Sequence, residues 1–171
     1  LLTHQSGLIP DNPLADYQAG PDEAWMRICE LGLRAPRRER FQYSDVNFIV
    51  LGELVRRAGG APLDEFSRRE IFEPLGMVDT QFRPRQELRP RIAPTTRRGD
   101  HWIVGEVHDP RSHLLGGVAG HAGLFSTSDD LAVYAAMMLD GGTAGGRRIL
   151  AAETVAKMIA GSPVPTPEST D

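Results

Sequence analysis

The sequence predicts a mostly α-helical chain, on three observations. An apolar run from Val46 to Val55 is bracketed by Tyr43-Ser44-Asp45 and Gly59-Gly60, the residue types that start and stop a helix. Further periodic apolar segments at 21–33, 63–72, 131–140 and 151–160 carry start or stop signals of their own. Strand signals are confined to 102–107 and Leu124-Phe125.

Taken in order, LLTHQSGLIPDNP leaves a helical end and enters a loop with turns at Ser6-Gly7, Pro10 and Asn12-Pro13. The helix at 21–33 has Pro21 near its start and Trp25, Ile28, Cys29 and Leu31 on its apolar face. A basic turn surrounds Pro36. The central helix follows, with Ser44 as N-cap and Asp45 where the helix dipole favours negative charge. Apolar residues fall on nearly every side of it, which predicts burial all round. Gly52 within it predicts the close approach of a neighbouring element. Pro62 or Leu63 opens the next helix, with Leu63, Phe66 and Ile71 inward, and Pro74 and Gly76 end it. Residues 77–100, rich in Arg and Pro, read as an irregular surface excursion. His108–Gly123 reads as a glycine-rich loop holding three histidines. Ser126–Asp130 then starts a helix that Gly141-Gly142 closes, and Ala151–Ala160 forms the last one.

Whole-chain properties bound the function. The 171 residues make one domain or a piece of one, and the start at Leu1-Leu2 reads as an element already under way. The expected organisation is a single partial domain, 1–171, with a frayed Pro-rich tail at about 162–171. A net charge of −4 and a pI of 5.7 give no attraction to nucleic acid or anionic lipid. The single cysteine, Cys29, excludes an internal disulfide framework and leaves the compartment open. No apolar run is long enough to span a membrane, and no signal-peptide pattern is present.

Four chemistries compete. A metal site would draw on His101, His108, Asp109, His113 and His121, but these lack the tight ligand pairs of zinc sites, so no metal or other cofactor is expected. A serine–histidine–aspartate hydrolase would show a Gly-x-Ser-x-Gly elbow, and none exists; Ser6 sits in a turn sequence. The glycines of GGVAGHAG (116–123) lack the lysine of a phosphate-binding loop and suit close backbone packing instead. Lysine-driven serine acyl transfer needs a Ser-x-x-Lys pair one helical turn apart. Lys157 is the one lysine, and Thr154-Val-Ala-Lys157 offers threonine in a late helix. That chemistry also needs a polar triplet across the cleft, and Tyr43-Ser44-Asp45 supplies one on the mouth of a rigid helix.

Four stretches in register carry a family resemblance. LLTHQSGL (1–8), FQYSDVNFIVLGELV (41–55), IFEPLGMVDTQF (71–82) and GGVAGHAGLFSTSDDLAVYAAMMLDGG (116–142) resemble segments of the serine β-lactamase/penicillin-binding-protein superfamily. They are most similar to its branch of class C-like hydrolases, esterases and D-alanyl-D-alanine peptidases. The resemblance implies the helical lobe of a mixed α/β fold, helices on an antiparallel sheet, with most of the sheet missing from this chain. It implies a parent that cleaves an amide or ester of a small-molecule or peptide substrate through an acyl-enzyme, in a periplasmic or secreted setting. By the same resemblance Tyr43 moves the proton between nucleophile and leaving group. Asp45 stands where the family has an asparagine that binds the lysine and the substrate amide. Ser44 and His121 are further candidates at the substrate, although the register places His121-Ala-Gly123 too early for the family's third motif, Lys/His-x-Gly. The chain itself is expected to be inactive, since it carries neither Ser-x-x-Lys nor that third motif. The competing expectation is a non-catalytic binding or structural fragment of the same fold.

Overall fold

The computed structural model describes residues 1–165. An extended loop and a 3-10 turn at Leu14–Tyr17 lead into α1 (Pro21–Cys29), which has Pro21 in its first turn. Next comes α2 (Asp45–Gly59), capped by Ser44 and closed by Gly60 at φ 69°. The chain continues through α3 (Leu63–Ser67) and a π-helical turn, Arg68–Phe72, into α4 (Glu73–Leu75). Gly76 at φ 72° stops that run. Strand β1 (Gln81–Phe82), a 3-10 turn at Gln86–Arg91, β2 (Thr96–Arg98) and β3 (His101–Ile103) follow. The remainder is α5 (Pro110–Leu114), β4 (Leu124–Phe125), α6 (Ser128–Leu139), β5 (Thr143–Ala144), β6 (Arg147–Arg148) and α7 (Ala152–Ile159). All strand pairs are antiparallel: β1 with β4, β2 with β3, and β5 with β6.

The principal helices form where the caps and glycines predict, and the differences have local causes. The first helix stops at Cys29 because the Glu30 amide already binds the Met26 and Arg27 carbonyls in a tightening last turn. Leu31 still packs on the core from the turn beyond, while Cys29 is exposed. The segment expected at 63–72 runs on to Leu75, with Ser67, Phe72 and Leu75 as its buried residues; Leu63, Phe66 and Ile71 are half-buried. Residues 77–100 are less irregular than expected, because β1 and β2 find partners later in the chain. The strand expected at 102–107 is shorter and starts at His101. A short helix, α5, interrupts the glycine-rich loop, started by the Asp109 cap and Pro110. Of the expected frayed tail, 166–171 lies outside the described residues.

The expectation that the central helix is buried all round needs correction. Val46, Asn47 and Ile49 are buried, but Leu54 is 55% exposed and Val50, Leu51 and Val55 are half-covered. One face packs against α1 and the opening loop, and the far end stays open.

Among the described residues the buried side chains form two cores. Tyr17, Ala24, Ile28, Val46 and Ile49 make the first, joined by Leu8, Ile9, Trp25 and Leu114. Inside it the Tyr17 hydroxyl donates to Asn12 Oδ1 at 2.6 Å, which satisfies the phenol where burial pushes its pKa up to about 12. Phe72, Leu75, Met77 and Met137 make the second core, under α6 and the β5–β6 hairpin. Fully covering a side chain of this size stabilises by about 1.5–3 kcal/mol. Leu131 and Leu139 of α6 and Ile159 of α7 stay 55%, 90% and 71% exposed.

Backbone contact between α2 and the loop after α5 places the site. A Cβ on Gly120 would fall 2.0 Å from the Phe48 carbonyl oxygen, and one on Gly52 would fall 3.0 Å from the Gly120 nitrogen. The approach expected from Gly52 is thus made by Gly120 and sets the loop down on the helix, carrying His121 with it. Gly120→Ala is therefore expected to destabilise the chain by more than ~2 kcal/mol, measured by urea unfolding. Gly60→Ala, whose Cβ meets nothing within 4 Å, should cost only the ~1–2 kcal/mol of its left-handed φ. Equal losses at the two positions would refute the close-approach account.

Candidate active site

Ser44 begins the site. It is fully buried, its hydroxyl accepts the Asn47 amide at 3.2 Å, and it donates to the Ile9 carbonyl at 2.6 Å. The donor and one acceptor site hold the helix cap, and full burial keeps the hydroxyl from a substrate, contrary to its expected place there. Its neighbours emerge at the helix mouth. Tyr43 is 62% exposed, and Asp45 occupies the first helical position, with its amide donating to the Pro10 carbonyl at 2.9 Å.

The opening loop clasps this mouth. The Ser6 hydroxyl donates to Asn47 Oδ1 at 2.6 Å and accepts the Leu8 amide at 3.0 Å, a turn role as its sequence predicts. The Ser44 amide donates to His4 Nδ1 at 3.1 Å. Neither His4 nor Asn47 stands out in the sequence as a site residue. The signal for Asn47 was its place one turn after the cap, on a face that then proved buried.

Asp109 and His121 reach the same mouth from the second half of the chain. Asp109 caps α5, with Oδ1 accepting the Ser112 amide at 2.7 Å. The same oxygen lies 2.8 Å from His121 Nε2. A carboxylate can only accept, so Nε2 carries the proton. The pair is well covered, with side-chain exposures of 4% for His121 and 14% for Asp109. Among the described residues, His121 Nδ1 is the buried side-chain polar atom that has no partner. His101, His108 and His113 are exposed and do not join.

One oxygen of Asp45, one of Asp109 and a ring nitrogen of His121 lie within 4.8 Å of one another. This is a ligand set that spacing along the chain could not reveal. Two features account for it without an ion. Asp109 and His121 already satisfy each other, and both carboxylates sit at helix N-termini, whose positive dipole ends favour them. The Asp45 carboxylate pushes the Tyr43 phenol above its usual range. With no lysine near it in the sequence, Tyr43 would be expected to titrate close to normal in this chain; the anion two residues away raises it instead.

A concavity of about 760 Å³ lies elsewhere, between α1, α2 and α3, over Trp25, Ile28, Ile49 and Leu63. On its rim Glu53 accepts from Arg56 and Arg57 at 2.7 Å each. The Arg56 hydrogen bond first, with Arg57, holds its carboxyl down to about 2 against the opposing effect of burial. That fork satisfies the Glu53 carboxylate at the groove's rim. The residues expected at the site stand instead at the mouth of α2.

The Asp109–His121 pair makes stability depend on pH. Burial works to raise the Asp109 carboxyl, but the Ser112 amide, then the His121 hydrogen bond and charge, outweigh it and hold it below the ordinary carboxylate range. A depressed folded-state pKa contributes stability that is fully present above the unfolded value, about 3.9, and is lost as pH falls through the folded value. Asp109→Asn is expected to flatten the acid limb of a plot of unfolding free energy against pH below about 4. An unchanged limb would remove Asp109 from the account.

Comparisons with known proteins give the family and the fold. The family model described as Beta-lactamase matches residues 1–170. The chain is 33% identical to a protein of Escherichia coli O157:H7 named "Putative D-alanyl-D-alanine carboxypeptidase", over 90% of this chain and 41% of the relative. It is 31% identical to the N-acetylmuramyl-L-alanine amidase of Bacillus subtilis, over 84% of this chain and 38% of that one. The chain thus spans well under half the length of these relatives. A penicillin-binding protein homologue of Caulobacter crescentus superposes at TM-score 0.67 and 20% identity, over 93% of this chain and 47% of the other. A β-lactamase/D-alanine carboxypeptidase of Yersinia pestis superposes at 0.60 and 22% identity, over 80% and 37%. Both structures show the fold, here a partial β-lactamase/transpeptidase-like one. The match along nearly the whole chain establishes that this chain belongs to the β-lactamase family, within the serine β-lactamase/penicillin-binding-protein superfamily.

Proposed function

We propose that residues 1–171 are one partial domain of a serine hydrolase that cleaves amide or ester bonds through an acyl-enzyme. The observation that carries the proposal is the exposed Tyr43 phenol beside Asp45 on the capped end of α2, with the Asp109–His121 pair closing the same mouth. The names of the relatives, a D-alanyl-D-alanine carboxypeptidase and a muramyl-alanine amidase, support an amide substrate of peptide or cell-wall type.

Tyr43 is the proton carrier in this reading. Asp45 raises its phenol, so alone it is a poor base at neutral pH. A cation at the mouth would reverse that, and the Ser-x-x-Lys pair of the family supplies both lysine and nucleophile. The sequence of this chain has no such pair, so the active enzyme draws it from outside these residues. Asp45 accepts from an ammonium or amide N–H but cannot donate to a substrate carbonyl, as an asparagine would. The site therefore favours a donor group where β-lactam or peptide recognition by asparagine uses an acceptor. His121 spends Nε2 on Asp109, and its Nδ1 is buried without a partner, so the pair braces the mouth rather than meeting the substrate directly. The exposed apolar residues of α6 and α7 suit contact with the sheet of the complete fold. No described helix is long and apolar enough to cross a membrane.

The chain alone is expected to give no turnover of an activated ester or a chromogenic β-lactam. Turnover that survives Ser6→Ala and His121→Ala would count against the partial-domain reading. In the complete enzyme, Tyr43→Phe should slow acylation by roughly 10²–10⁴-fold without altering thermal stability. A Tyr43→Phe enzyme with full acylation rate would dismiss Tyr43 as the proton carrier and favour a non-catalytic binding role for this lobe.

A further inference from the structure

We propose that His4 is the positioning residue for Tyr43, and that its Nδ1 lone pair, by gripping the Ser44 amide, holds the phenol beside Asp45. The inference rests on the role proposed for Tyr43.

The geometry has three parts. The Ser44 N–H belongs to the peptide unit that leaves Tyr43, so its bond to His4 Nδ1, at 3.1 Å, fixes the backbone immediately after the phenol. Asn47 Nδ2 approaches the same nitrogen at 3.4 Å. Both facing groups are donors, so Nδ1 must present its lone pair and the ring proton sits on Nε2. The imidazole then serves as a platform. It lies 4.5 Å from the Tyr43 ring at 33°, 5.2 Å from Phe48, and 5.7 Å from Phe41 in an edge-on arrangement. Tyr43 is largely in solvent, and an exposed phenol without such a neighbour would sample several rotamers.

The backbone of His4 is bent to make this contact. Its φ is 54°, a left-handed conformation that costs a non-glycine residue about 1–2 kcal/mol. Its amide donates to the Leu1 carbonyl at 2.9 Å, and its carbonyl accepts the Gln42 amide at 2.8 Å. Residue 4 is thereby tied to the backbone just before Tyr43 and, through its ring, to the backbone just after it. A phenylalanine could fill the aromatic space, but it could not accept the Ser44 N–H. An asparagine could present an Oδ1 acceptor at similar reach.

The experiment uses the 171-residue chain itself. Tyrosine-labelled NMR follows the Tyr43 phenol against pH, with Tyr43→Phe to assign the signal. The charged groups acting on that phenol are Asp45 first and Asp11. In the unsubstituted chain Tyr43 is expected to titrate above the ordinary ~10. His4→Phe should bring it back toward ~10, since the phenol leaves Asp45, and His4→Asn should keep it raised. A long-range proton–nitrogen correlation on the unsubstituted chain reads the His4 tautomer directly and does not depend on any variant folding. The Nε2–H tautomer is expected. An Nδ1–H tautomer would overturn the proposal, as would a Tyr43 titration that is the same in His4→Phe as in the unsubstituted chain. A His4→Asn chain that titrates like His4→Phe would also defeat the acceptor role. None of these outcomes depends on acylation. An enzyme unaffected by Tyr43→Phe would end the proton-carrier reading yet leave the His4 grip standing.

Discussion

The Ser44 hydroxyl accepts the Asn47 amide and donates to the Ile9 carbonyl from a position with no solvent exposure. An N-cap of this kind stabilises a helix by about 1 kcal/mol. Here it also fixes direction, because Ser44 is the point at which the opening loop and α2 meet. The backbone amides of Ser44 and Asp45 go to His4 and Pro10, so with the Ser44 hydroxyl three groups of one turn are satisfied by one loop. A serine buried in this way forces the flanking residues outward. Tyr43 and Asp45 are at the mouth because Ser44 is not.

The second half of the chain reaches that mouth through glycine. Where Gly120 meets the backbone of α2, no side chain intervenes, and the loop follows the helix surface closely. Ser112 and Asp109 then stiffen it. The Ser112 hydroxyl donates to the Ala122 carbonyl at 2.9 Å, next to His121, while its amide binds the Asp109 cap. Short polar links thus help to place the His121 ring. Two carboxylates can share so small a space because each begins a helix and Asp109 is further neutralised by an imidazole N–H.

The rest of the molecule sets this arrangement on two modest cores. A third polar contact joins the second core to β1: Asp130 accepts the Asp79 amide at 2.9 Å and the Thr80 hydroxyl at 2.7 Å. It ties the first turn of α6 to the entry of β1, which pairs with β4 immediately before α6. The glycine loop is therefore anchored at both ends, by α5 and by β4, and the site inherits its rigidity from these anchors rather than from a deep apolar pocket. On the other flank of α2 lies the 760 Å³ groove, where the Glu53 carboxylate is held between Arg56 and Arg57.

Much of this was legible in the sequence, and the limit follows the range of the interactions. Caps, glycine stops and apolar periodicity act within a few residues, so the starts of α2 and α6 and the Gly60 and Gly76 terminators could be read directly. The Tyr43-Ser44-Asp45 triplet was legible for the same reason. Pairing over distance was not. The β1–β4 ladder and the His4–Ser44 bond join residues that share no local pattern. Nothing along the chain announces that Asp45 faces Asp109 and His121, and the raised Tyr43 phenol follows from charge at the folded mouth. Local sequence determined where helices begin, where they end and which groups stand at their ends. Only the tertiary structure decided which of those ends converge, because convergence depends on backbone contacts such as Gly52 with Gly120 that leave no periodic trace in the residues themselves.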